Sequence, residues 1–147
     1  MKKLINKTEN IVAEMLEGIV AAHPEKLVKI ENYNIIARKE KKKKTGIVSG
    51  GGSGHEPAHA GFVGCGMLDV AVSGEVFTSP TPDQILEGIK TADTGEGVLL
   101  IIKNYSGDVM NFEMAAELAE MEGIKTEKII VGDDIAMENS TYTIGKR

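Results

Sequence analysis

Cysteine occurs once in the 147 residues, at Cys65. A lone thiol excludes an intrachain disulfide, and its neighbours Gly64 and Gly66 bring none of the companion cysteines of a zinc or redox motif. Cys65 is therefore read as a small buried apolar residue. Long apolar runs are missing too. Met1-Lys2-Lys3-Leu4-Ile5-Asn6 is too short in apolar length for a signal peptide, and no later stretch approaches the ~20 residues of a membrane span, so a cytoplasmic protein is expected. Positive charge is in deficit: a formal net charge of −5 leaves no basic footprint for nucleic acid. The one basic run, Lys41–Lys44, is bounded by Glu40 and Gly46 and reads as a solvated turn between strands.

What is present suffices for a single core. With 41% hydrophobic residues, a chain of this length folds as one domain. Ile11, Met15, Ile19 with Val12, Leu16, Val20 recur at helical spacing up to His23-Pro24, and Asn6 with Glu9 looks like the capping arrangement of that helix. Leu27–Ile30 and Tyr33–Ile36 are partly β-branched runs of extended chain. Ile47-Val48-Ser49 is a short buried strand running into Gly50-Gly51-Gly52-Ser53-Gly54-His55-Glu56-Pro57, with the glycines expected to begin where the strand ends.

Leu68–Val72 is a second strand. A helix is then announced by Thr81 as cap, Pro82 at its first position and Gln84 closing a capping box, with Ile85 to Thr91 following. Val98–Ile102 is the clearest buried strand and opens into Lys103-Asn104-Tyr105-Ser106-Gly107-Asp108. A helix from Val109 to about Met121, ended by Gly123, precedes a strand Ile129-Ile130-Val131 that opens into Gly132-Asp133-Asp134. Met110, Met114 and Met121 read as core filler. This alternation predicts an α/β fold: a mostly parallel sheet with helices on both faces and ligand loops along the C-terminal edge of the strands.

Four glycines within five positions let main-chain N–H groups approach a small polar ligand. A plain turn is the competing reading. A nucleotide is disfavoured, because no Lys-Ser/Thr follows the last glycine and the dinucleotide spacing is absent. His55 sits at the rim of that loop, and an imidazole titrates near neutrality, which suits proton transfer. His55 and His59 with Pro57 between them do not make a metalloprotease helix, so no metal is expected. His59 and His23 read as satisfied or exposed side chains. Lys103 and Asp108, read as lying across a loop that contains Gly107, could put a cation and a proton acceptor beside one ligand, or form a surface ion pair. Asp133-Asp134 is weak as a cation site and reads as a strand closure.

Three motifs taken in order carry a resemblance: Gly50-Gly51-Gly52-Ser53-Gly54-His55-Glu56-Pro57; Phe77-Thr78-Ser79-Pro80-Thr81-Pro82-Asp83; and Gly95 to Tyr105 with Gly107-Asp108 and Asn111-Phe112. Together they resemble the K subunit of dihydroxyacetone (glycerone) kinases, over a span from Met1-Lys2-Lys3-Leu4-Ile5 through Tyr142 to Arg147. The resemblance implies a phosphotransferase subunit of glycerol metabolism that holds dihydroxyacetone for phosphorylation at its terminal hydroxyl. It implies Gly52, Ser53, Gly54 and His55 as substrate contacts, Lys103 and Asp108 as further contacts, Asp108 as general base, and His55 as an orienting or acid–base partner.

The resemblance also implies that residues 1–147 are the N-terminal part of that subunit. The family's covalent hemiaminal histidine belongs to a second domain and maps onto none of His23, His55 or His59, so the fragment alone is expected to be inactive. Nucleotide, either ATP or a tightly held ADP rephosphorylated by a phosphotransferase-system protein, belongs with magnesium to a separate L partner, so no cofactor is expected on this chain. A homodimer is implied for the full-length subunit. The alternative within the family is a dihydroxyacetone-sensing regulatory relative without kinase activity.

Overall fold

The computed structural model describes residues 2–132, and Asp133-Asp134 and the Tyr142–Arg147 stretch lie outside them. Among the described residues three α-helices and six strands follow one another: α1 (Ile11–Ala22), β1 (Leu27–Lys29), β2 (Ile35–Arg38), β3 (Gly46–Ser53), β4 (Val70–Val76), α2 (Pro82–Ala92), β5 (Val98–Lys103), α3 (Ser106–Met121) and β6 (Thr126–Val131). The strands form one sheet in the order β1-β2-β4-β3-β5-β6. β4, β3, β5 and β6 run parallel, and β1 and β2 join antiparallel at one edge.

Helices cover both faces, as the alternation of elements requires. α2 and α3 bury Ile85, Ile89, Phe112, Ala115 and Ala119 against Val48, Val72, Leu100 and Ile102. On the opposite face α1 buries Val12 and Leu16 against Leu27, Ile36 and Ala71, helped by a 3-10 turn at Ala60–Phe62. Alternate residues of β5 point to opposite faces, so Leu100 and Ile102 belong to the α3 side while Ile101 and Lys103 face the α1 side. The capping box of α2 forms as the sequence predicts, with the N–H of Thr81 donating to Oε1 of Gln84 at 3.1 Å.

The lysine run is a solvated turn pinned by ion pairs, Lys42 to Glu40 at 3.5 Å and Lys43 to Glu96 at 3.2 Å. Lys44 reaches Asp69, whose other oxygen takes Arg38 Nη1 at 3.0 Å. Asp69 also accepts from the N–H of Ile47, which ties the start of β3 to β4 far from the strands' C-terminal edge.

Several expectations are corrected. Asn6 and Glu9 do not cap α1: the Asn6 amide donates to Glu14, and a 3-10 turn at Thr8–Asn10 leads into the helix. The glycines do not start after the strand. β3 continues through Gly50, Gly51 and Gly52 to Ser53, paired with β4 throughout, because neighbouring backbone comes too close for any Cβ. A Cβ on Gly50 would lie 2.4 Å from the Val72 carbonyl oxygen, and one on Gly52 2.6 Å from the Thr78 nitrogen.

Cys65 is exposed, because the turn between the buried Val63 and Leu68 projects away from the core. Met110, Met114 and Met121 are exposed as well. α3 buries the stripe Asp108, Phe112, Ala115, Ala119, and the methionines fall outside it. That helix begins at Ser106, so Asp108 lies in its first turn rather than in a loop.

Candidate active site

The C-terminal ends of β3, β4 and β5 meet the first turn of α3, and the polar residues gather there. Phe112 explains the position of α3. Fully buried, it packs on Gly50, whose added Cβ would lie 3.2 Å from Cζ of the ring. Asp108 is one helical turn earlier on the same face, so the packing of Phe112 aims the Asp108 side chain at the next position along β3.

That position is Gly51. A Cβ there would lie 2.9 Å from Cε1 of His59, 3.1 Å from Oδ2 of Asp108 and 3.1 Å from Cε of Lys103. Side chains from three separate segments thus converge on one bare α-carbon, and only glycine leaves room for all three. Lys103 arrives as the last residue of β5, on the α1 side of the sheet. His59 arrives from the turn after β3, whose path includes cis peptide bonds at Glu56-Pro57 and Ala58-His59. A cleft of about 430 Å³, walled by Ile47, Ile101, Phe62 and Met67, opens beside His59 and Lys103.

A loop from Phe77 to Pro80 roofs the strand ends. Gly74 permits it, since a Cβ at that position would lie 2.0 Å from the Thr78 carbonyl oxygen. The loop is fastened by Phe77 N–H to the Ser53 carbonyl at 2.7 Å and by the Asn111 amide to the Pro80 carbonyl at 2.8 Å. It delivers Ser79, whose hydroxyl donates to Oδ1 of Asp108 in a short hydrogen bond. Phe77 takes a left-handed backbone conformation, with φ of 52°, and its ring lies against the bare α-carbon of Gly54. His55 stands between the rings of Phe77, edge-on at 5.3 Å, and Tyr105 at 5.9 Å.

Burial sets the charges of the site. It raises the Asp108 carboxyl above its ordinary pKa, opposed by the Ser79 hydrogen bond and by the charges of Lys103 and His55. It lowers the Lys103 ammonium, opposed by Asp108 and Glu56. It lowers His59 to about 4, reinforced by Lys103 and His55, so that imidazole is neutral at physiological pH. The result is a carboxylate held ready to take a proton, a cation beside it and a neutral imidazole beneath.

Of the residues expected from the sequence, His55, Lys103 and Asp108 come together at this edge. Gly52, Ser53 and Gly54 form its rim at the end of β3. The Ser53 side chain is engaged with the Gly74 carbonyl at 2.7 Å, the Ser53 carbonyl accepts from the Phe77 N–H, and the Gly54 N–H donates to the Glu56 carboxylate at 3.1 Å. The reading of His59 as satisfied or exposed is corrected, for it is 7% exposed and its Nε2 has no hydrogen-bond partner. Ser79, Phe77 and Tyr105 were not singled out as site residues. The motif around Ser79 carries the helix start at Thr81-Pro82 and part of the family resemblance, but no site role.

An α/β domain with a compact polar site at the carboxyl edge of a mostly parallel sheet is the class defined by this architecture. The chain belongs to the Dak1 domain family, which matches residues 17–147. It is 62% identical to the PTS-dependent dihydroxyacetone kinase 1, dihydroxyacetone-binding subunit, of Listeria innocua, over 100% of this chain and 45% of the relative. Among solved structures it superposes on the dihydroxyacetone kinase of Citrobacter freundii in complex with AMP-PNP and Mg2+, with a TM-score of 0.91 and 41% identity, covering 98% of this chain and 28% of that one. It also superposes on the dihydroxyacetone kinase operon co-activator Dha-DhaQ, with a TM-score of 0.83 and 40% identity, covering 90% of this chain and 42% of that one. The chain therefore spans less than half the length of these relatives.

Proposed function

We propose that this chain is the N-terminal, substrate-holding part of a dihydroxyacetone kinase K subunit. The observation that carries the reading is the convergence of Lys103, Asp108 and His59 on the α-carbon of Gly51, with His55 at the rim. Ser79 occupies Oδ1 of Asp108 and leaves Oδ2 facing the site. Oδ2 then accepts the proton of the substrate's terminal hydroxyl as that oxygen attacks the γ-phosphorus of the donor and the nucleoside diphosphate leaves. Lys103 donates to a substrate oxygen, and His55, steadied between Phe77 and Tyr105, orients the ketose.

The phosphoryl donor comes from a partner. Gly50–Gly52 are committed to the sheet as strand residues rather than forming a strand-to-helix phosphate loop. Among the described residues, no three His, Cys, Asp or Glu side chains form a group that could hold a metal. In this reading nucleotide and magnesium belong to a separate L subunit recharged by a phosphotransferase-system protein, which the PTS-dependent name of a relative supports. A cytoplasmic homodimer is part of the same reading.

A regulatory relative that binds dihydroxyacetone without phosphorylating it is the second reading, favoured by the similarity to an operon co-activator. A coupled kinase assay of the intact protein with its L partner, alongside Asp108→Ala, separates the two. Turnover that falls by at least about 100-fold in the variant supports the kinase. Binding of dihydroxyacetone without turnover supports the regulator, and no binding at all overturns both.

A further inference from the structure

His59 lies outside the roles assigned above, and its chemistry is unusual. It is 7% exposed, and among the described residues its Nε2 is the one buried side-chain nitrogen or oxygen with no hydrogen-bond partner. Buried polar atoms in native proteins are nearly always paired, because an unpaired one forfeits its hydration for nothing. The turn that carries it does not need the imidazole. Its backbone is held by the Ala58 N–H to the His55 carbonyl at 3.1 Å and by the Phe62 N–H to the His59 carbonyl at 3.0 Å.

The ring's position gives the orphaned nitrogen a purpose. Cε1, the atom bonded to Nε2, is one of the three atoms crowding the α-carbon of Gly51, beside Oδ2 of Asp108 and the end of Lys103. We infer that His59 is a further substrate-binding residue, and that its Nε2 finds its hydrogen-bond partner in an oxygen of the hydroxyketone seated against Asp108 and Lys103. This rests on the reading of the site as a dihydroxyacetone site. A neutral imidazole adds what the two charged groups lack: a hydrogen bond to hydroxyl or carbonyl that neither repels the Lys103 cation nor competes with Asp108 for the reacting proton.

The test is calorimetric titration of the intact protein with dihydroxyacetone, comparing wild type, His59→Met, His59→Gln and Asp108→Asn, with thermal unfolding of each without ligand. Methionine fills the space without the nitrogen, and glutamine can return a polar group to the place of Nε2. The expected result is an affinity about three- to tenfold weaker in His59→Met, with an unfolding temperature equal to or above that of wild type, and partial recovery in His59→Gln. Removing an unpaired nitrogen breaks no hydrogen bond of the free protein, so lowered stability in step with lowered affinity, without rescue by glutamine, would mean a structural role and overturn the inference. Unchanged affinity in His59→Met with weakened binding in Asp108→Asn overturns the inference and leaves the site reading intact. Unchanged affinity in both, or no binding by wild type, overturns the site reading and the inference with it.

Discussion

The hydroxyl of Ser79 and the carboxylate of Asp108 are hydrogen-bonded through Oδ1. With Oδ1 occupied, Oδ2 is the atom that faces Gly51 and the bare floor of the site. The two residues come from different sides, Ser79 from the loop that crosses the strand ends and Asp108 from the first turn of α3. They meet because Gly107 and Gly74 let the segments approach. A Cβ on Gly107 would lie 2.9 Å from the Ser79 oxygen.

This pair fixes a pH dependence. A base works above its pKa, and burial raises that of Asp108 while Ser79, Lys103 and His55 hold it down. In the complete kinase system, kcat should therefore rise with pH through a limb above the ordinary aspartate value. Ser79→Ala removes a hydrogen bond that holds the pKa down and should move the limb further upward. Asp108→Asn should lower kcat by about 10²- to 10⁴-fold at all pH values. A limb that does not move in Ser79→Ala would show that the hydroxyl does not tune the base.

Gly51 should tolerate no side chain. An added methyl would meet His59, Lys103 and Asp108 at 2.9–3.1 Å, all three at once. Gly51→Ala is expected to keep the fold, at an overpacking cost of about 1–3 kcal/mol, and to weaken dihydroxyacetone binding by at least tenfold as the three side chains are pushed apart. Circular dichroism and titration calorimetry read the two effects separately. Wild-type affinity in the alanine variant would mean that the convergence on Gly51 is not where the ligand sits.

His59 should shape stability in acid. Its folded pKa is lowered to about 4, against an unfolded imidazole near 6.5. Between those values the unfolded chain binds a proton that the folded chain refuses, so stability falls as pH drops from about 6.5 to about 4. The full effect is roughly 3 kcal/mol, and it should be missing from His59→Gln. Urea unfolding at pH 7 and pH 4.5 measures it as the difference in pH dependence between the two proteins. Equal acid sensitivity would mean that His59 is protonated in the native state.

Much of this was legible in the chain. Val98–Ile102 announced a buried strand by its unbroken apolar run, and Thr81-Pro82 with Gln84 announced the start of α2 by local hydrogen-bonding chemistry that needs no tertiary context. The glycine run was noticeable but its role was not. A glycine that frees the backbone in a loop and one that makes room for a neighbour inside a strand look alike in sequence, and only the Val72 carbonyl and the Phe77–Pro80 loop make the difference at Gly50 and Gly52. Met110, Met114 and Met121 fit an apolar helix but not its buried stripe, which Phe112 fixes by choosing the sheet.

His59 was the largest omission. Four residues beyond His55, it has the spacing of a metal pair that Pro57 argues against, and its burial beside Gly51 is set by tertiary contacts rather than by any local propensity. The sequence by itself determined the order of elements, the parallel sheet and the edge on which polar chemistry would collect, because hydrophobic periodicity and strand-end composition are local properties. Which side chains meet at that edge was decided only by tertiary structure. Asp108, Lys103, His59 and Ser79 lie on four separate segments, and their meeting depends on the close approaches that Gly51, Gly74 and Gly107 permit.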